Sequence, residues 1–151
     1  MINLAPQTLF VINFFCCAYM TGLIWLIQVV HYPLFSMVSP ENFTEYSTKH
    51  ANSITPIVAI PMIIELITSF VLLFSLPNWV TNQQAIFLFV IILLIFASTF
   101  FIQVPLHNTL QLGYNKELIS KLVFSNWIRT VLWTAKSVIM IYLLTASKSS
   151  S

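Results

Sequence analysis

AIFLFVIILLIFASTFFIQV, residues 85–104, decides the fold class, because these 20 residues contain no charged side chain. A helix of that length rises about 30 Å, the thickness of a bilayer's hydrocarbon core. Elsewhere in the chain, residues 9–30, 57–76 and 127–144 share its length and apolar character, and no charged side chain precedes Glu41. The first of these stretches lacks the basic leader and the A-x-A-like site of a secretory signal, so it reads as a retained helix. The expectation is an all-α integral membrane protein: a four-helix bundle forming a single transmembrane domain over residues 1–146. A Ser-rich, frayed tail is expected at residues 147–151. Four crossings place both termini on the same side.

Composition points the same way. Of 151 residues, 7% are charged and 58% apolar, against about 25% charged in a soluble domain. The net charge of +2 is small and scattered. It provides neither the basic footprint of a nucleic-acid binder nor a cluster for anionic head groups. Membrane lipid is therefore the implied partner, nucleic acid is not, and an oligomer remains open. Cys16 and Cys17 are adjacent and without metal-type spacing, which fits small packing residues.

Thr55-Pro56 and Pro77-Asn78 read as the boundaries of the second span, and Pro105 as the end of the third. The short loop at residues 77–84 predicts antiparallel neighbours. The two longer connections should be partly helical. Ser39-Pro40-Glu41 carries a capping Ser, Pro at the first helical position and an acid in the first turn. Asn115-Lys116-Glu117 is a second cap, able to feed a helix into the fourth span. These connections share one face with Lys49, Lys116, Lys121 and, just inside, Arg129, so the positive-inside rule places that face in the cytoplasm.

The same face collects His31, His50 and His107, with Asn126 and Arg129 at the start of the fourth span. Hydrocarbon outside the bundle should turn these groups inward together. Thr99, Gln103, His107 and Gln111 follow i, i+4 spacing, provided that the helix survives Pro105. Asn126, Arg129, Trp133 and Lys136 form another stripe. Glu65 and Lys136 lie at similar depth, roughly 13 Å inside their spans, where an ionised group costs at least ~2.5 kcal/mol. A buried ion pair between them is expected, with Arg129 as a rival partner for Glu65. Such a pair either fixes helix register or takes part in function.

Three histidines above a carboxylate suit several chemistries. One is a metal held by His31, His50, His107 and Glu65; another is a haem with two axial histidines; a third is a metal-free acid–base pocket. Spacing selects none of them, H-E-x-x-H and E-x-x-H are both absent, and the cofactor stays unknown. In the acid–base reading His31, His107 and Arg129 are catalytic, and Gln28, Gln103, Asn126 and Trp127 contact the substrate. Trp25, Trp79, Trp127, Trp133, Tyr19, Tyr32 and Tyr142 mostly lie near span ends, where an interfacial belt is expected. The Phe-rich residues 96–101 read as packing or lipid-facing. Large aromatics beside a polar seam would still accommodate a flat hydrophobic molecule.

His31-Tyr32-Pro33, then Gln103-Val104-Pro105-Leu106-His107-Asn108, then Asn126-Trp127-Ile128-Arg129-Thr130 follow one another in span order. This pattern resembles the anthrone-oxygenase-like family of four-helix integral membrane proteins, most of them uncharacterised. The likeness covers nearly the whole chain. It implies a four-helix membrane fold and, for a few members, oxidation of polycyclic aromatic anthrones by oxygen without a well-defined cofactor. The positions it carries over are His31, the stretch from Pro105 to Asn108, and Trp127 with Arg129. Three functions follow from the sequence: an oxidoreductase or oxygenase-like enzyme acting on a hydrophobic aromatic substrate, a small proton-coupled transporter using Glu65, and a non-catalytic membrane partner or assembly protein.

Overall fold

The structure is a computed structural model that describes residues 5–148, with side chains as far as residue 146. It contains four long helices, each apolar enough to cross a membrane: α1 (Pro6–Met37), α2 (Pro40–Leu72), α3 (Asn82–Leu110) and α4 (Lys116–Lys148). No strand occurs among the described residues. The protein is an integral, multi-pass membrane protein with an all-α, four-helix fold. Of the expected tail, residues 147 and 148 belong to the α4 backbone, and residues 149–151 lie outside the described residues.

Side-chain bonds fix the packing directions. Asn13 reaches Glu65 and Ser69 while His31 reaches His50, so α1 and α2 run antiparallel. Thr21 meets Ser137 and Gln28 meets Asn126, so α1 and α4 do likewise. Gln103 bonds Ser125 across α3 and α4, and Ser47 bonds the Leu110 carbonyl across α2 and α3. The helices therefore form a ring in chain order, with the start of α1 and the end of α4 at the end remote from the histidines. The outer surface is apolar: Phe15, Phe74, Phe101 and Phe124 are all at least 70% exposed. Only hydrocarbon solvates such a surface without cost.

Except at the end of α2, which stops at Leu72 short of residue 76, the helices outrun the expected spans. Thr55-Pro56 is no boundary: α2 starts at Pro40 and passes through both Pro56 and Pro61 to end at Leu72. Ser39 precedes it without a side-chain cap, whereas Asn115 does accept the Leu118 backbone N–H at the start of α4. Thr81 and Gln84 close a reciprocal capping box at the start of α3. Helices in a membrane retain internal prolines because no water competes for their backbone, and neighbours re-satisfy the freed groups.

Pro33 and Pro105 are accommodated differently. Each follows a single π-turn, Ile27–His31 in α1 and Thr99–Gln103 in α3. Proline lacks the N–H for an i→i−4 bond and crowds the carbonyl four residues back. Ahead of each proline, the Tyr32 N–H bonds the Ile27 carbonyl and the Val104 N–H bonds Thr99, five residues back. Helix α3 thus survives Pro105, ending at Leu110, so Gln111 lies in the turn instead of on the helical stripe. Gly113, at φ 156°, closes that turn in a region that side-chain-bearing residues rarely adopt.

Candidate functional site

The bundle interior holds two polar layers. The deeper one is built on Glu65 and Lys136, both 0% exposed and joined in a salt bridge. The Lys136 ammonium also donates to Asn13 Oδ1 at 3.0 Å and Ser69 Oγ at 3.4 Å, using its three protons. Trp133 Nε1 donates to Glu65 Oε2 at 3.1 Å. Asn13 Nδ2 donates to the Glu65 carbonyl, Thr68 and Ser69 within 2.8 Å. Every charge in this layer has a partner. Beside it, Thr21 Oγ1 bridges Ser137 at 2.7 Å, and Cys17 Sγ lies 3.2 Å from the same hydroxyl. Both cysteines are free and buried.

The second layer lies at the histidine end. Gln28 Nε2 donates to the Val123 carbonyl, and Gln28 Oε1 accepts from Asn126 Nδ2 at 2.8 Å. Asn126 Oδ1 in turn accepts from both Nε and Nη2 of Arg129. Arg129 Nη2 also donates to the Tyr32 hydroxyl at 3.3 Å, and that hydroxyl lies 2.8 Å from His107 Nε2. A hydroxyl that accepts from a guanidinium has its single proton left for the imidazole. That proton is available to His107 Nε2. His31 Nε2 and His50 Nδ1 are 2.8 Å apart, a bond that requires one donor and one acceptor nitrogen. Phe35, fully buried, packs edge-on against His31, His50 and His107.

A cavity of about 230 Å³ opens beside this layer. Tyr32, Gln103, His107 and Arg129 supply its polar wall, and Ile24, Val58, Met62 and Phe96 part of its apolar wall. The α2 contribution comes from residues 54–63, the stretch that contains Pro56 and Pro61, and the α3 contribution flanks its π-turn. Ile63 and Phe100 line the cavity yet are 50% and 58% exposed, so it opens sideways between α2 and α3 toward lipid.

The expected site residues separate accordingly. His107, Arg129 and Gln103 line the cavity. Gln28 and Asn126 are buried behind it and hold Arg129 in place. His31 and His50 line a neighbouring groove between α1 and α2. Trp127, expected to contact substrate, instead lines an outer groove between α3 and α4, in edge-to-face contact with Trp25. The ligand set His31, His50, His107 and Glu65 does not assemble: among the described residues no three His, Cys, Asp or Glu side chains are grouped to hold a metal. Glu65 instead lies in the deeper layer, held by Lys136 and Trp133.

Two groups central to the site were not among the expected ones. Tyr32, expected in the interfacial belt, is buried and links Arg129 to His107. Its i+4 relation to Gln28 was the available signal. Asn13, 1% exposed, is the hub of the deeper layer; a carboxamide within an uncharged apolar run was the clue. Trp133, on the stripe expected to turn inward with Asn126, Arg129 and Lys136, does so at 0% exposed. Compared with protein-family models, curated proteins and solved structures, the chain matches none.

Proposed function

We propose that the cavity is an oxidoreductase or oxygenase-like site that takes a flat hydrophobic aromatic molecule from the bilayer. The observation that carries this reading is the His107–Tyr32–Arg129 line on the wall of an apolar cavity open to lipid. A substrate with an acidic C–H next to a ring carbonyl, as in an anthrone, suits this arrangement. The Tyr32 oxygen takes the substrate proton while its own proton passes to His107 Nε2. Arg129 stabilises the negative charge that moves onto the carbonyl oxygen. The electron-rich ring then reacts with molecular oxygen. The CH₂ becomes C=O, the carbon giving up four electrons and oxygen accepting four, with one water released.

The deeper layer has a different role in this reading. Glu65 is occupied by Lys136 and Trp133, which favours fixing helix register over proton exchange and so disfavours the transporter. The test is oxygen consumption and quinone absorbance with protein in lipid nanodiscs and an anthrone substrate. One oxygen consumed per quinone formed, lost in His107→Ala, is the expected result. Absence of turnover across anthrone and quinol substrates would overturn the enzyme reading. Full cellular function in His31→Ala, His50→Ala and Arg129→Ala variants would then favour a non-catalytic partner.

A further inference from the structure

Among the described residues, three carboxylates pair with an ammonium group, and the buried charge left without such a partner is Arg129. Glu45 pairs with Lys49, Glu117 with Lys121, and Glu65 with Lys136. Arg129 is 5% exposed and has no carboxylate partner among the described residues. Its Nε and Nη2 donate to the neutral oxygens of Asn126 and Tyr32, while Nη1 donates to no described group. A guanidinium cannot escape this by losing its proton. A buried, unpaired charge is among the costliest arrangements in a protein interior, and more so within a bilayer. Yet three side chains, Gln28, Asn126 and Tyr32, are arranged to hold this cation against the cavity.

We propose that the cavity binds a lipophilic aromatic carboxylate whose anionic head completes the charge of Arg129. The carboxylate would accept from Nη1, with its ring system against Phe96, Val58 and Met62. Phe100 and Ile63, at the lipid-facing opening, leave room for the rest of the molecule to extend into the bilayer. Charge-assisted bonds from guanidinium to carboxylate are roughly twice as strong as neutral ones and gain further from exclusion of water. This inference rests on the reading of the cavity as a ligand site, but not on any reaction there. It specifies an acidic group that the proposed oxidation does not require.

The experiment measures occupancy without turnover. The protein in neutral phosphatidylcholine nanodiscs is titrated with 2-naphthoate and with 2-naphthalenemethanol, its neutral counterpart. The carboxylate should bind at least ~10-fold more tightly than the alcohol. Arg129→Gln should abolish that preference, and Arg129→Lys should keep part of it. Should Arg129→Gln fail to fold, Ala59→Trp, which fills the cavity from α2, should eliminate binding of both probes. Equal affinity for the two probes would overturn the carboxylate assignment and leave the ligand site standing. Binding of neither would overturn both. Displacement of 2-naphthoate by phosphatidylglycerol nanodiscs would replace the carboxylate with a lipid phosphate as the natural anion.

Discussion

The two polar layers of this bundle are made of similar residues and behave in opposite ways. In the deeper layer a carboxylate and an ammonium meet, and Asn13, Ser69 and Trp133 take up their remaining bonding capacity. In the layer at the histidine end, Arg129 is held by neutral groups, no carboxylate among the described residues meets it, and a cavity lies alongside. Closure is the difference. A saturated buried pair suits a register pin, since any slip of α2 against α4 would strand two charges. An unsaturated cation beside an empty volume is an arrangement that a ligand can complete. Buried charge by itself therefore does not single out a ligand site; the proposed one rests on incomplete pairing next to space.

Breaking the deeper pair should give the largest effect on stability. Glu65→Ala or Lys136→Met alone leaves one buried charge unpaired and should cost ~3–5 kcal/mol, read by thermal or denaturant unfolding in mild detergent. The double variant Glu65→Met/Lys136→Met should recover most of that loss. A double variant as unstable as the singles added together would show that the pair is not the coupled unit described above. The histidine end should respond in rate instead of stability. His107→Ala should lower kcat ~10²–10³-fold with a small change in unfolding temperature, measured by oxygen consumption with anthrone. A stability loss as large as that of the deeper variants would erase the contrast between the layers.

Tyr32→Phe isolates one link of the second layer. It keeps the ring against Phe35 and removes only the hydroxyl that joins Arg129 to His107. Turnover should fall at least ~10-fold, with ~1 kcal/mol of lost stability from the broken hydrogen bonds. The smallest effect belongs to Trp127→Phe. This residue is 42% exposed on the outer surface and keeps its edge contact with Trp25 as a Phe. Stability should change by less than ~0.5 kcal/mol and turnover should be unaffected. A marked loss of activity would move the substrate to the outer groove between α3 and α4.

Several of these features are legible in the amino-acid sequence. An uncharged run such as residues 85–104 admits one solution, because an unpaired backbone in hydrocarbon is prohibitive and a helix satisfies every peptide group within itself. The same solvent argument sends Glu65, Lys136, Arg129 and the histidines inward. Helix ends are less legible. Pro56 reads as a boundary in water but lies inside α2 here, since within a membrane its cost is offset by packing. Tyr32 is hidden by its dual character: an aromatic with a polar tip suits an interfacial belt and a buried hydrogen bond equally well.

The amino-acid sequence thus determined the fold class, the number of crossings and the identity of the groups that hydrocarbon rejects. The partners those groups take were decided by the tertiary structure. Glu65 chose Lys136 over the histidines, and Arg129 was left to Asn126 and Tyr32. Two π-turns ahead of Pro33 and Pro105 also change the register of α1 and α3 at the level of the cavity. The reason is physical: burial follows from composition summed over a whole span, whereas pairing depends on helix rotation. One extra residue in a turn rotates everything beyond it by about 100°.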